Sequence, residues 1–259
     1  MRVEGDAMRQ PSRNSTGIVE GSRPRRLPRL IAVLLLAFVL VEALLIGLGL
    51  LITRVLDDTG LHEAEAEVEN AILEARDPTL DDVTTVGSWA GATVPIIVLA
   101  AIGCFVLWRL GRGPRFAVFL ALAVVGETAL FLLAAAVIDR NRPDIPQLDE
   151  APPTSSFPSG HTAASIALTF GLVIALYALY RRRRLLVVGA VLATAYAGFV
   201  LVSRLYRGMH WPTDVTASVV FASAWLLSLR AILLPGGAPD RPRALAGRDQ
   251  RTGGPSLTR

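Results

Sequence analysis

The chain has 259 residues, of which 52% are hydrophobic and 19% are charged, and its formal net charge is +4. Its apolar residues fall into long runs and its charges lie almost entirely between them, which excludes a disordered, collagenous or disulfide-rich secreted protein. A positive charge is compatible with nucleic-acid binding, but its distribution here fits a membrane protein better, and we predict no nucleic-acid partner.

Six apolar runs are long enough to cross a bilayer, which takes about 20 residues of α-helix. We therefore predict an all-α integral membrane bundle of six transmembrane helices, within a domain of residues 30–234. The predicted spans are 30–52, 87–108, 116–138, 162–180, 185–202 and 215–234. The segments 1–29 and 235–259 are rich in Arg, Gly, Pro and Ser without hydrophobic periodicity, and we predict that both are disordered tails.

All 26 basic residues are arginine, and most of them lie in four segments that a six-span chain must place on one side. These segments are the N-terminal tail, the turn after the second span, the turn at 181–184 and the C-terminal tail. An excess of arginine marks the cytoplasmic side of a membrane protein. We therefore predict a multi-pass cell-membrane protein with both termini in the cytoplasm and three loops outside.

The first predicted outer loop, residues 53–86, is acidic, with ten Asp or Glu against Arg54 and Arg76. Apolar residues recur at helical spacing from Leu61 to Ala75, which predicts a helix that Asp77-Pro78 ends. The pattern does not distinguish a helix lying on the outer membrane surface from a solvated helix that makes no contact with substrate.

The second and third outer loops, residues 139–161 and 203–214, hold nearly all of the side chains capable of catalysis. Two predicted spans separate these loops, so both face the same side of the membrane whichever way the chain inserts. Ser159-Gly160-His161 opens the fourth span, and a helix N-terminus presents unpaired N–H groups and a positive dipole end to phosphate. Arg142 and Arg204 are permanently charged and can grip phosphate oxygens.

His210 and Asp214 are four residues apart in the third outer loop. This spacing lets the carboxylate accept the Nδ1 proton and leaves Nε2 free to attack. Each of these features alone has an ordinary explanation: an anchor and turn at Arg142-Pro143, a helix start at His161, an interfacial residue at His210. All of them together, in order and on one side, favour phosphate chemistry.

These residues resemble the three-part signature of the type 2 phosphatidic acid phosphatase superfamily, which contains lipid phosphatases and vanadium haloperoxidases. The signature reads Lys-x6-Arg-Pro, then Pro-Ser-Gly-His, then Ser-Arg-x5-His-x3-Asp. Its second and third parts match in full, but in the first part Ala135 stands at the lysine position. The matching residues are Arg142-Pro143, then Pro158-Ser159-Gly160-His161, then Ser203, Arg204, His210 and Asp214. The resemblance covers roughly residues 87–234.

The resemblance implies a phosphatase that needs no metal and no cofactor and acts on a lipid phosphate or diphosphate in the bilayer. His210 would attack the phosphorus and form a phosphohistidine, Asp214 would orient its ring, and His161 would protonate the leaving oxygen and then activate water. The phosphate oxygens would be held by Arg142, Arg204 and the backbone of Ser159 and Gly160. Undecaprenyl diphosphate, phosphatidylglycerol phosphate and phosphatidic acid all fit as substrates at the outer membrane face, and the sequence does not choose among them or predict an oligomeric state.

The missing lysine leaves several alternatives open. Arg140 is the nearest residue that can supply the lost cationic contact to phosphate. A vanadate-dependent haloperoxidase would use the same residues, but those relatives are soluble. A catalytically silent membrane protein or transporter is favoured by Ala135 and by two carboxyl groups inside predicted spans, Glu42 and Glu127, because charged groups in a membrane are usually functional. For Glu42 we favour a hydrogen bond to a neighbouring helix.

Overall fold

The structure, a computed structural model, describes residues 26–56 and 59–234, and these residues form helices and irregular segments without a β-strand. The helices, in chain order, are α1 (Arg26–Leu50), continued by a π-helical segment (Leu51–Leu56), α2 (Leu61–Glu74), α3 (Pro78–Ala90), α4 (Thr93–Gly111), α5 (Arg115–Val137), α6 (Gly160–Tyr180), α7 (Arg183–Tyr206) and α8 (Pro212–Leu233). The predicted tail 235–259 lies outside the described residues. So does the predicted tail 1–29, except for residues 26–29, which already belong to α1.

Six helices of the described chain are long and apolar enough to cross a membrane, which confirms the predicted number of spans. They are α1 with its π-helical continuation and α4 to α8. Helix α6 packs against α4, α5, α7 and α8 and so occupies the middle of the bundle, whereas α1 packs on the outside against α5 and α8. The outer face of α1 exposes leucines such as Leu36 and Leu40, which are 58% and 61% exposed, as expected of a surface that faces lipid.

Two boundaries differ from the sequence prediction in ways that matter for function. The second span begins at Thr93 and not at residue 87, because residues up to Ala90 complete the separate helix α3. Asp77 caps α3 by accepting from the backbone N–H groups of Thr79 and Leu80, so Asp77-Pro78 starts a helix as well as following one.

Helix α7 continues beyond the predicted end at residue 202 as far as Tyr206. Ser203 and Arg204 are therefore in the last turn of a helix and not in a loop. A Cβ atom on Gly87 would lie 2.0 Å from Oγ of Ser203, so α3 can approach α7 this closely only with glycine at position 87. Helix α3 is further held by Tyr196, whose hydroxyl donates to the carbonyl of Ala90 at 2.8 Å.

Glu42 does not behave as expected. Both of its carboxyl oxygens are buried, and neither has a hydrogen-bond partner among the described residues. The predicted hydrogen bond to a neighbouring helix is therefore absent from this part of the chain.

Candidate active site

The segments that carry the signature meet at one end of the bundle, around a cavity of about 750 Å³. Five of the predicted functional residues line this cavity, and Ala135, at the position of the missing lysine, lines it too. The five are Arg142, Gly160, His161, Arg204 and His210. Residues as far apart in the sequence as Ala135 and His210 thus share one cavity wall, because α5 and α7 end, and α6 begins, at the same end of the bundle.

The end of α7 positions His210. The N–H of Gly208 donates to Leu205 at 2.9 Å and that of Met209 to Arg204 at 3.1 Å, which satisfies two carbonyls of the last helical turn. Gly208 has φ +68°, the left-handed conformation that glycine adopts without strain, and a Cβ there would lie 2.9 Å from Ile145. The chain turns at this point and brings His210 to the cavity.

The Nδ1 atom of His210 donates to the backbone carbonyl of Ser156 at 2.6 Å. Asp214 was expected in that place, but its nearest oxygen is 3.9 Å from Nδ1, too far for a hydrogen bond. The expected direct bond is therefore wrong, although its consequence for the ring is kept. With the proton on Nδ1, Nε2 is the nitrogen that remains free to act as a nucleophile.

Asp214 acts one step further away, through Ser156. Its Oδ2 atom accepts from Oγ of Ser156 at 2.6 Å and from the N–H of Trp211 at 2.9 Å, and it is completely buried. Ser156 thus donates through its hydroxyl to Asp214 and accepts through its carbonyl from His210. Asp214 therefore positions Ser156, and Ser156 positions the imidazole of His210.

Arg140 does not line the cavity, so the structure lends no support to its predicted contact with phosphate. Its Nη2 atom donates to Glu65 at 2.5 Å, while Nη1 pairs with Asp214 and donates to Oγ1 of Thr213 at 2.7 Å. The guanidinium lies over the ring of Trp211, 5.6 Å from its centroid. Two buried carboxylates bind these N–H donors more strongly than water in an open cavity would, and the guanidinium group neutralises the charge of both.

Glu65 links the acidic segment, residues 53–86, to the start of α8. It lies on α2 and accepts from the N–H of Thr213 at 2.9 Å and from its hydroxyl at 2.7 Å. Helix α2 is therefore docked on the start of α8 and is not a detached helix, and it touches the Asp214 network without lining the cavity.

Arg204 is held by Ser88 and Asp149, two residues that line the same cavity. Its Nη1 atom donates to Oγ of Ser88 and to Oδ2 of Asp149, both at 2.5 Å. Asp149 also accepts from Nε of Arg207 at 2.8 Å. The Nε atom of Arg204 is buried and has no partner among the described residues, which leaves a charged donor for an anion in the cavity. Arg142, which donates to the carbonyl of Met209 at 2.6 Å, lies on the same cavity wall.

The start of α6 contributes less than expected. The N–H of Ser159 donates to Oγ of Ser218 at 2.9 Å, and its hydroxyl is hydrogen-bonded to Oγ1 of Thr162 at 3.0 Å, so both groups already have partners and the contact between Ser159 and phosphate stays a prediction. Gly160 and His161 do line the cavity. The first N–H groups of a helix have no partner within it, and those of Gly160 and His161 are the ones next to the cavity.

The electrostatics favour a neutral nucleophile. Burial, and then the positive charges of Arg204 and Arg142, hold the pKa of His210 well below its usual value of 6.5. Burial alone would raise the pKa of Asp149, but its hydrogen bond from Ser88 and the charges of Arg204 and Arg207 outweigh this, so that its pKa lies below the usual 3.8. The cavity therefore combines an uncharged imidazole with fixed cations and an ionised carboxylate, Asp149, that pairs with Arg204.

Sequence reasoning missed four residues that support the site: Glu65, Ser88, Asp149 and Ser156. Ser156 lies two residues before the second part of the signature, which is the only local signal. The other three lie 55 to 148 residues from their partners in the chain, where no spacing rule connects them.

A model of the family described as "PAP2 superfamily" matches residues 115–234. Phosphatidylglycerophosphatase B of Bacillus subtilis (strain 168) is 29% identical over 175 residues, which cover 64% of this chain and 81% of that protein. The fold is similar to the crystal structure of a transmembrane PAP2-type phosphatidylglycerolphosphate phosphatase from Bacillus subtilis. That comparison has a TM-score of 0.60 and 21% identity, and it covers 78% of this chain and 94% of the other.

Proposed function

We propose that this chain, which belongs to the PAP2 superfamily through residues 115–234, removes phosphate from a lipid phosphate or diphosphate by way of a phosphohistidine. The homology supports a membrane lipid phosphatase of the PAP2 type. The observation that carries the finer proposal is the state of His210. Its Nδ1 atom is fixed by the carbonyl of Ser156, and the residue lines a cavity shared with His161 and two arginines.

In the first step, Nε2 of His210 attacks the phosphorus and forms a P–N bond. The bond from phosphorus to the lipid oxygen breaks, and this oxygen takes a proton from His161. Phosphoryl transfer asks a protein mainly for positioning and for charge stabilisation. Arg142 supplies charge, as does Arg204 through its unpaired Nε, and the N-terminal N–H groups of α6 add donors.

In the second step, water attacks the phosphohistidine and gives its proton to His161, which is now neutral. The P–N bond breaks, inorganic phosphate leaves, and both imidazoles return to their starting state. Because the arginines and the helix terminus provide the positive charge, the proposed reaction uses no metal ion.

The apolar part of the cavity wall supports the proposal of a lipid substrate whose apolar tail stays among the helices. Wall residues such as Ile96, Val124 and Leu132 lie on the membrane-spanning helices α4 and α5, while Arg142 and His210 lie between helices and Arg204 lies in the last turn of α7. Phosphatidylglycerol phosphate, phosphatidic acid and undecaprenyl diphosphate remain the candidate substrates. We further propose that the site faces outward and that both termini are cytoplasmic, on the distribution of arginine.

The direct test is phosphate release by the purified protein from a panel of these three lipids, with His210→Ala as the inactive control. A His161→Ala variant should accumulate labelled protein from undecaprenyl diphosphate carrying ³²P at its terminal phosphate, since the lipid monophosphate can leave without a proton from His161 while hydrolysis is slowed. The label should be lost in acid and kept in alkali, as expected of a phosphohistidine. A labelled wild-type protein whose His210→Ala variant is labelled equally well would refute the assignment of the nucleophile.

A further inference from the structure

The cavity contains one polar group that the proposed reaction does not use. Glu127 lines the cavity from α5, is 1% exposed, and its Oε1 atom has no partner among the described residues. Its Oε2 atom receives only a long hydrogen bond of 3.4 Å from Thr128, whose hydroxyl also donates to the carbonyl of Val124 at 2.9 Å. A buried carboxyl oxygen without a partner is costly, so its place on a cavity wall calls for a ligand.

The depth of Glu127 follows from its neighbour Phe131. A Cβ on Gly160 would lie 3.1 Å from the ring of Phe131, so this ring is level with the first residue of α6, next to the proposed phosphate site. Helices α5 and α6 are antiparallel, and Glu127 precedes Phe131 by four residues. At about 1.5 Å per residue, Glu127 is therefore about 6 Å deeper in the cavity than the phosphate site.

Thr128 is the only side-chain hydrogen-bond partner of Glu127 among the described residues. The cavity wall that Glu127 shares includes apolar residues such as Ile96, Val124, Phe131 and Ala164. A carboxylate without a cation is costly in such an environment, which favours the acid form with its one O–H donor. An ester carbonyl is an acceptor that this donor suits.

We propose that Glu127 selects the substrate by donating a hydrogen bond to an ester carbonyl in the linker between the phosphate and the apolar tails. This inference rests on the proposed function. A glycerolipid phosphate carries its carbonyls a few bonds beyond the phosphorus, at the level of Glu127. A polyprenyl chain and an ether-linked lipid carry none, and they would leave the carboxyl group unpaired.

The test compares diacyl phosphatidic acid with its dialkyl ether analogue, which has the same phosphate and glycerol but lacks both carbonyls. The measured quantity is the ratio of kcat/KM for the ester lipid to kcat/KM for the ether lipid, in mixed micelles. We expect a ratio near 10 for the wild type, since leaving a buried donor unpaired costs about 1–3 kcal/mol. Glu127→Leu should reduce the ratio to about 1, and Glu127→Gln, which keeps an N–H donor, should retain most of it.

Glu42→Leu is the matched control. Glu42 also lies inside a span, and neither of its buried carboxyl oxygens has a partner among the described residues, but it does not line the cavity. Its replacement should leave the ester-to-ether ratio unchanged. Both leucine variants should fold, as judged by elution volume and thermal midpoint, because each removes at least one unpaired buried carboxyl oxygen. Should Glu127→Leu fail to fold, the Glu127→Gln and Thr128→Val variants carry the comparison.

A wild-type ratio near 1, a ratio that Glu127→Leu leaves unchanged, or an equal change in Glu42→Leu would overturn the inference while phosphate release stands. A wild-type protein that releases phosphate from neither lipid, and from no other lipid of the panel, would overturn the proposed function and the inference with it.

Discussion

Arg140 offers the sharpest test of the supporting network, because it neutralises two buried carboxylates at once. The side chains of Glu65 and Asp214 are 4% and 0% exposed, and that of Arg140 is 10% exposed. In Arg140→Met, both carboxylates lose their cation and face each other in a water-poor site. Removing one partner of a buried pair costs about 3–5 kcal/mol.

For a chain of this size, 1 kcal/mol corresponds to roughly 2–4 °C in Tm, so we expect the Tm of Arg140→Met to fall by roughly 10 °C. The double variant Glu65→Leu/Arg140→Met should regain part of this loss, since only Asp214 then remains unpaired and it still accepts from Ser156 and Trp211. Arg184→Ala, which removes an exposed arginine, should leave Tm within about 1 °C.

The assay for function separates support from phosphate contact. Because Arg140 does not line the cavity, vanadate should inhibit residual Arg140→Met activity at the wild-type concentration, while kcat falls as the Ser156 segment loosens. The opposite pattern, an unchanged Tm with strongly weakened vanadate inhibition, would refute this reasoning and restore Arg140 as a phosphate ligand.

Four further predictions concern orientation, metal, pH and the missing lysine. With Cys104 replaced, a cysteine at Thr154 should react with a membrane-impermeant thiol reagent in whole cells and one at Arg183 should not; the reverse pattern would put the site in the cytoplasm. Activity should survive EDTA and be inhibited by vanadate, and a loss on chelation that a divalent ion restores would contradict the metal-free mechanism. The fold holds the pKa of Asp149 below 3.8, so its ion pairs stabilise the protein above that pH and lose this effect as the pH falls through the pKa of the folded state. Asp149→Asn should therefore lower Tm at pH 7 and flatten the fall of Tm below about pH 4. If Tm falls with pH in parallel in the two proteins, this role of Asp149 is wrong. Ala135→Lys adds a cation to the cavity wall and should lower the concentration of vanadate needed for half inhibition, whereas no change would mean that a side chain at this position does not reach the phosphate site.

The parts of the fold that could be predicted are those that depend on residues close together in the sequence. Hydropathy over about 20 residues located the six spans, and the order of the signature located His161, Arg204 and His210 on one cavity. Helix α3 was not predicted because it runs directly into the apolar segment that starts α4, so residues 87–90 were assigned to the second span and the rest of α3 to the outer loop.

The partners of the site residues were not predictable, for two physical reasons. The acceptor for Nδ1 of His210 is a backbone carbonyl, a group that every residue has and that no sequence pattern marks. Arg140 had two acidic partners to find, Glu65 and Asp214, which lie 75 and 74 residues away, and only the docking of α2 on α8 brings the first of them near. Charge and proximity in sequence made Arg140 a candidate for phosphate binding. In the fold, its N–H donors bind Glu65, Asp214 and Thr213 instead.

The close approach of α3 to α7 has a consequence for how this protein can diverge. Only a hydrogen atom fits as the side chain at position 87, because a Cβ there would lie 2.0 Å from Oγ of Ser203. The next residue, Ser88, accepts a hydrogen bond from Arg204. A larger side chain at 87 would move Ser88 away from the arginine unless the residue at 203 shrank in return. Since Ser203 is part of the signature, relatives that keep both the signature and this helix pair should also keep glycine at position 87.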